Sequence, residues 1–249
     1  MIKEVIRKAG LELKKQYKSL SDCSTKEKFH LVTESDILIE ELLINDLKTY
    51  YPDYSIFSEE VGNIENKSGI RWIIDPIDGT ADFVFGIPYF AVSVSLEKDG
   101  EIIEGYVYNP VSDEFYYSKK DEGRSYLNGE EIKPSQTNEF SDSLIAFGYS
   151  SVYEKISIYY EEWRYLFDNC KKGMPLIAPA LTICNVARGR IDAYIDFGSS
   201  MEGHSAAALI LKNSGGKVMN YDLSPWNYKS KGIIATNGKL DFCPFIKVD

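Results

Sequence analysis

The sequence predicts a layered fold of mixed α and β type, from three observations. The first third carries helical periodicity, the middle is a run of short strands split by turn residues, and the remainder alternates helix and strand patterns. Residues 1–18 set Val5, Ile6, Ala9, Leu13 and Tyr17 near one helical face, with lysines elsewhere. A second helix is expected after Thr33, which can cap it, with Asp36 in its first turn. It carries Ile37, Leu38, Glu40, Leu42, Leu43 and Leu47 and stops before Pro52. Strands are expected at Ile70–Ile74, Tyr89–Glu97, Ile102–Tyr108 and Glu114–Ser118, which are short and aromatic or β-branched. Asp99-Gly100 and Asn128-Gly129 are hairpin signals. Beyond them, Ser143–Tyr149, Ile191–Asp196 and Gly232–Ala235 read as strands. Tyr153–Phe167, Ala180–Arg188 and Ser205–Asn213 read as helices.

The chain has 249 residues, which allows one large domain or two joined lobes. Apolar residues make up 44%, enough for a sizeable core. The 28 Lys and Arg against 38 Asp and Glu give a net charge of −10. That excess argues against a nucleic-acid partner, which needs a basic face. A small anionic substrate remains compatible where metal ions carry the opposing charge. No apolar run approaches the ~20 residues of a membrane span. The start, Met1-Ile2-Lys3-Glu4, lacks a signal-peptide core. Cys23, Cys170, Cys184 and Cys243 are far apart, as expected of free thiols in a reducing cytoplasm. With only His30 and His204 as imidazoles, tetrahedral zinc is disfavoured.

The chemistry concentrates in Arg71-Trp72-Ile73-Ile74-Asp75-Pro76-Ile77-Asp78-Gly79-Thr80-Ala81-Asp82-Phe83. An apolar strand delivers two carboxylates at its end, with Pro76 stiffening the turn between them. Gly79 lets the backbone approach a ligand, and Thr80 begins a short helix. Hard divalent cations take carboxylate oxygens, and a helix N-terminus offers N–H groups to a phosphate. Upstream, Ile56-Phe57-Ser58-Glu59-Glu60 ends a strand with paired glutamates, and Leu31–Asp36 sets another acid beside a helix start. Each acid alone reads equally well as a helix cap or solvated surface. Spacing leaves open whether the three sites converge.

This pattern resembles the inositol monophosphatase family of magnesium-dependent phosphomonoesterases, from about residue 1 to residue 238. Trp72–Thr80 resembles the family's W-I-I-D-P-I-D-G-T segment without a mismatch. The order also fits: Val32–Asp36, then Glu59-Glu60, then Asp75–Thr80. Phe90–Val94, Gly105–Tyr108, Asn128-Gly129, Asp192-Ala193-Tyr194 and Ser214-Gly215-Gly216 match as well. The resemblance implies an α/β/α/β/α sandwich, usually dimeric. It implies a single such domain over 1–249, with an α+β lobe to about residue 140 and an α/β lobe after it. It implies two or three Mg²⁺, with Mn²⁺ as a substitute, held by Glu59, Asp75, the Ile77 carbonyl and Asp78. Glu60 would stand behind these ligands. The Gly79 and Thr80 amides would grip the phosphate. Thr80, paired with Asp36, would orient the attacking water, and Glu59 joins them as a catalytic residue. Asp78 and Asp196 would meet the substrate.

Three departures stand out. Where the family has W-D before a helix, its Asp a ligand of the second metal, this chain has Glu202-Gly203 followed by His204. Glu202 or His204 could fill the vacancy, or the ligand is lost. Met174–Ala180 replaces a small polar stretch, with Pro175 at the usual serine. Asp196 is one methylene shorter than the family's glutamate, and Ala81-Asp82 replaces T-N. The expected function is Mg²⁺-dependent hydrolysis of a small phosphorylated polyol or sugar, inositol 1-phosphate being the family default. Relatives handle fructose 1,6-bisphosphate, histidinol phosphate and 3′-phosphoadenosine 5′-phosphate. The alternative is a weakly active or non-catalytic protein that keeps a phosphate and metal pocket, because of Gly203.

Overall fold

The computed structural model describes residues 1–17, 23–27, 30–149, 164, 166–198, 201–230 and 232–245. Helix α1, Ile2–Gln16, buries Val5, Ile6, Ala9 and Leu13 as its periodicity predicts. Helix α2, Glu34–Tyr50, starts where Thr33 caps it. The Thr33 Oγ1 accepts the Ser35 and Asp36 amides at 3.1 and 3.3 Å, and Asp36 Oδ2 accepts the Thr33 amide at 2.7 Å. This reciprocal capping box fixes both the helix start and the Asp36 rotamer. The buried stripe of α2 runs through Asp36, Glu40, Leu43, Ile44 and Leu47. Ile37 and Leu38 are instead 50% and 41% exposed, because the two acids take the inward positions.

The strands are β1 Cys23–Glu27, β2 His30–Thr33, β3 Ser55–Ser58, β4 Gly62–Ile64, β5 Ile70–Asp78, β6 Ala91–Lys98 and β7 Glu101–Asn109. They continue as β8 Glu114–Lys119, β9 Arg124–Leu127, β10 Glu130–Glu131, β11 Leu144–Tyr149, β12 Lys172–Pro175, β13 Ala193–Phe197, β14 Lys217–Met219 and β15 Ile233–Thr236. The later helices are α3 Thr80–Val84, α4 Pro179–Ala187 and α5 Met201–Ser214. A larger sheet has the order β10-β9-β8-β7-β6-β5-β3-β4, antiparallel except for the parallel pair β3–β5. A smaller one runs β12-β11-β13-β15-β14, with β11 parallel to both its neighbours. Strands β1 and β2 pair separately. Asp99-Gly100 and Asn128-Gly129 turn with positive φ at both residues, the two-residue hairpin geometry.

Leu13, Ile39, Leu43 and Leu47 of α1 and α2 pack on one face of the larger sheet, against Trp72, Ile74, Val94 and Tyr106. Helices α4 and α5 fill the space between the sheets. There Leu181, Ile183, Ala206 and Ile210 meet Ile73 and Val107 on one side and Ala146, Tyr194 and Ala235 on the other. The far face of the smaller sheet is covered by Leu166, Leu240 and Phe242. Residues 166–169 are helical, so the layers follow the α/β/α/β/α order. The expected helix at Tyr153–Phe167 otherwise lies outside the described residues.

Two boundaries differ in ways that matter to the chemistry. The strand expected at Ile70–Ile74 continues to Asp78. Pro76 is accommodated because the pairing with β6 shifts register between Asp75 and Asp78, where no regular ladder bond is needed. Helix α5 begins at Met201, ahead of the expected Ser205, so Glu202, Gly203 and His204 lie within its first turn. Cys170, Cys184 and Cys243 are free thiols, and among the described residues no helix is long and apolar enough to cross a membrane.

Candidate active site

The junction of β5 and α3 is the centre of the site. Gly79 links them with φ +91°, a left-handed conformation that side chains rarely adopt. A Cβ there would also stand 2.8 Å from Ala178 Cβ and 3.0 Å from the Tyr89 carbonyl. Both conformation and space therefore demand glycine. Thr80 opens α3, whose first N–H groups have no partner inside the helix and attract an anion. The Thr80 hydroxyl donates to the Ile77 carbonyl at 3.0 Å and lies 3.4 Å from Asp36 Oδ1. The Asp75 carboxylate folds back on its own turn and accepts the Ile77 amide at 3.1 Å.

Acids from three elements, and Glu59 from the turn between β3 and β4, surround this junction. Asp75, Asp78, Asp36 and Glu202 are 6%, 2%, 2% and 8% exposed. Burial raises the Asp75 carboxyl well above its ordinary range, and Glu59, Asp78, Glu202 and Asp36 raise it further. The fold thus sets these acids within electrostatic reach of Asp75, which spacing alone left open. Burial likewise pushes Asp36 to about 6, opposed by the Thr33 hydrogen bonds and reinforced by Glu59 and Glu60. Asp78 is pushed to about 8, again chiefly by burial, against the Leu181 and Ala180 amides, with Asp196 and Asp82 adding to the rise.

Those two amides give Asp78 a second task. Ala180 N donates to its Oδ1 at 3.0 Å and Leu181 N to its Oδ2 at 2.9 Å. Asp78 therefore caps α4, whose own N-cap, Ala178, supplies no side-chain bond. Pro179 fits the first helical position because its missing N–H needs no partner there. Pro175 is exposed at the end of β12.

His204 is held by Asp196. Its Nε2 lies 2.7 Å from Asp196 Oδ2, and both residues are almost completely buried. The early start of α5 explains this. At ~100° per residue, Glu202 and His204 project roughly 200° apart. Glu202 lies within electrostatic reach of Asp75, and His204 turns to β13. His204 is thus engaged by Asp196 of β13. Asp196 stands near Asp78, with one carboxylate oxygen engaged by His204.

Two buried acids were missed in the sequence. Glu40 is 1% exposed and holds the turn that carries Glu59 and Glu60. Its signal was an acid four residues after Asp36, on a stripe otherwise apolar. Asp82 is 5% exposed, and burial pushes its carboxyl to about 6.

Among the described residues, no three Asp, Glu, His or Cys side chains are set closely enough to cage a metal ion by themselves. The donor types nevertheless fit a hard cation: carboxylates, plus the Ile77 carbonyl turned towards Thr80. Mg²⁺ commonly keeps several waters and takes only a few carboxylates, so an open site suits it.

The raised acids set a stability profile. An acid whose folded pKa exceeds its unfolded value leaves stability intact below the unfolded pKa and erodes it as pH rises to the folded one. For Asp36 that window runs from 3.8 to about 6, and for Asp78 from 3.8 to about 8. The metal-free protein should therefore lose melting temperature steadily between pH 4 and pH 8, and saturating Mg²⁺ should flatten the slope. Thermal melts with EDTA and with Mg²⁺ across that range check this. A slope unaffected by Mg²⁺ would separate these acids from metal binding.

The inositol monophosphatase family model matches residues 1–243. The chain is similar to "Nus factor SuhB" of Pasteurella multocida, 31% identical over 220 residues, covering 87% of this chain and 82% of the relative. It is similar to human "Inositol monophosphatase 1", 32% identical over 217 residues, covering 84% and 78%. The solved structure of the extragenic suppressor protein suhB from Bartonella henselae superposes with a TM-score of 0.90 at 29% identity, covering 95% of this chain and 92% of that one. With the motif, the five-layer fold and the family match in agreement, the chain belongs to the inositol monophosphatase family, a family of metal-dependent phosphatases.

Proposed function

We propose that this protein hydrolyses a small phosphorylated polyol or sugar with Mg²⁺, inositol 1-phosphate first among its substrates. The observation that carries the reading is the convergence of Asp75, Asp78, Asp36, Glu59 and Glu202 beside the Gly79–Thr80 turn. Glu59, Asp75, the Ile77 carbonyl, Asp78 and Glu202 hold two or three Mg²⁺, or Mn²⁺ in its place. When bound, the ions make a nucleophile of water at neutral pH and offset charge on the leaving oxygen. The Gly79 and Thr80 amides hold the phosphate. The Thr80 hydroxyl, beside Asp36, orients the water. Asp78 and Asp196 meet the rest of the substrate, and Glu60 supports the Glu59 turn. No covalent enzyme nucleophile is required, since the catalysis is positioning and charge neutralisation. The protein acts in the cytoplasm as a homodimer.

A weakly active phosphate- and metal-binding role is the second reading. Gly203 supports it, as does similarity to relatives named Nus factor SuhB.

The test is turnover with inositol 1-phosphate, fructose 1,6-bisphosphate, histidinol phosphate and 3′-phosphoadenosine 5′-phosphate, each with Mg²⁺ and with EDTA. The expected result is EDTA-reversible hydrolysis, fastest with inositol 1-phosphate. Metal-dependent turnover of none of them would favour the second reading.

A further inference from the structure

The turn between β3 and β4 carries Glu59, yet it has little sheet structure to hold it. Pairing closes at Ser58 with Gly62, so residues 59–61 form a short loop outside the ladder. Glu59 and Glu60 are half-buried there, and Val61 is exposed. A ligand on such a loop needs an outside anchor to keep its carboxylate in place.

Glu40 supplies one. A single carboxylate oxygen, Oε1, accepts the Ser58 hydroxyl, the Glu60 amide at 3.0 Å and the Val61 amide at 3.3 Å. The residue is 1% exposed on a stripe whose later members are Leu43, Ile44 and Leu47. A buried acid costs stability unless its hydrogen bonds offset desolvation. Its three donors all come from the Ser58–Val61 segment, so the acid serves that segment and not the helix core. Asp36 lies four residues earlier, on the same face of α2. It sits 3.4 Å from the Thr80 hydroxyl, and Glu59 and Glu60 both raise its pKa. One face of one capped helix therefore fixes the Glu59 loop relative to the Thr80 end of the site.

We propose that Glu40 is a positioning residue that holds the Glu59 loop in its metal-binding conformation by gathering the Ser58 hydroxyl and the Glu60 and Val61 amides on one oxygen. The proposal rests on the reading of Glu59 as a metal ligand. It acts through geometry, so what matters at position 40 is an acceptor oxygen, not a charge.

The experiment titrates Mn²⁺ alone into the full chain and reads free Mn²⁺ by electron paramagnetic resonance. Glu40→Leu keeps the volume and removes the acceptor, and should weaken Mn²⁺ binding by ~10–100-fold, the scale on which ligand-supporting partners act. Glu40→Gln retains an acceptor oxygen and should bind within about threefold of the unaltered protein. In a Glu59→Gln background, Glu40→Leu should add no further loss, because the ligand it positions is gone. A purely structural role would leave the Glu40→Leu effect undiminished in that background. If Glu40→Leu does not fold, Ser58→Ala reports the same coupling, with a loss of roughly two- to fivefold that vanishes beside Glu59→Gln. A loss in Glu59→Gln with none in Glu40→Leu, or in Ser58→Ala where that variant stands in, overturns the proposal alone. Unchanged binding in Glu59→Gln overturns the ligand reading and the proposal with it.

Discussion

Asp75→Asn should abolish turnover and, in the same protein, raise the melting temperature of the metal-free form. The carboxylate is 6% exposed, and burial together with Glu59, Asp78, Glu202 and Asp36 raises its pKa well above 3.8. Folding without metal thus obliges Asp75 to take up a proton or to keep a charge among four other acids. Asparagine has nearly the same shape, and its oxygen can still accept the Ile77 amide. The gain should be clear at pH 8 and fade as pH falls towards 3.8, where the unfolded carboxyl is itself protonated. A gain of ~1 kcal/mol would appear as ~2–4 °C in a chain of this size. Activity should fall by ~10³-fold or more, as losing ~4 kcal/mol of charge stabilisation at the reacting phosphate implies. Turnover at saturating Mg²⁺ and melts in EDTA at pH 5 and pH 8 check both halves. Undiminished turnover removes Asp75 from the mechanism, and a lower metal-free melting temperature at pH 8 removes the electrostatic account of the site.

The contrast between folding and function also explains what the sequence disclosed. Local chemistry was legible. Thr33 with Asp36 is a capping box, and α2 starts at the residue it dictates. Asp99-Gly100 and Asn128-Gly129 demand tight turns and make them. Gly79 and Thr80 mark a strand-to-helix junction with a motif behind them. Features set by tertiary contacts were not legible. Pro76 suggested a strand end, but a bulge against β6 carries β5 through it. The helix expected from Ser205 starts instead at Met201 and runs through Gly203, because it is packed between two sheets. That burial outweighs glycine's helix cost of about 1 kcal/mol. Ile37 and Leu38 lie on the expected helix, but Asp36 and Glu40 take inward positions and leave them exposed. The site departs from the hydrophobic pattern because its acids, not its aliphatic residues, occupy the buried positions.

Glu202→Gln should be severe and Gly203→Asp mild or harmful, because buried Glu202 is one of the acids that act on Asp75. The sequence alone made loss of the ligand the simpler expectation, since a one-residue displacement just before a helix shifts a side chain by roughly 3.5 Å. Helix α5 begins at Met201, and that changes the geometry. Within a helix, neighbours still have Cα atoms ~3.8 Å apart and leave the axis ~100° apart, so residue 202 approaches from a different direction than residue 203. The longer glutamate side chain adds reach. Two observations support Glu202. It is 8% exposed in the first turn of α5, and it is one of the acids that raise the Asp75 carboxyl. Burying one acid beside another without a cation is costly, and a shared ion offsets that cost. Glu202→Gln should raise the Mg²⁺ concentration for half-maximal activity by ~10-fold or more, in the range seen when metal-site partners are lost. Gly203→Asp adds an acid about 100° further round the helix. It should leave the Mg²⁺ curve near its original place or shift it to higher concentration by crowding. The two Mg²⁺ activation curves decide, with calorimetric titration of Mn²⁺ into each metal-free variant as a second reading. A leftward shift for Gly203→Asp, with Glu202→Gln indistinguishable from the unaltered protein, would mean that the second metal has lost its ligand.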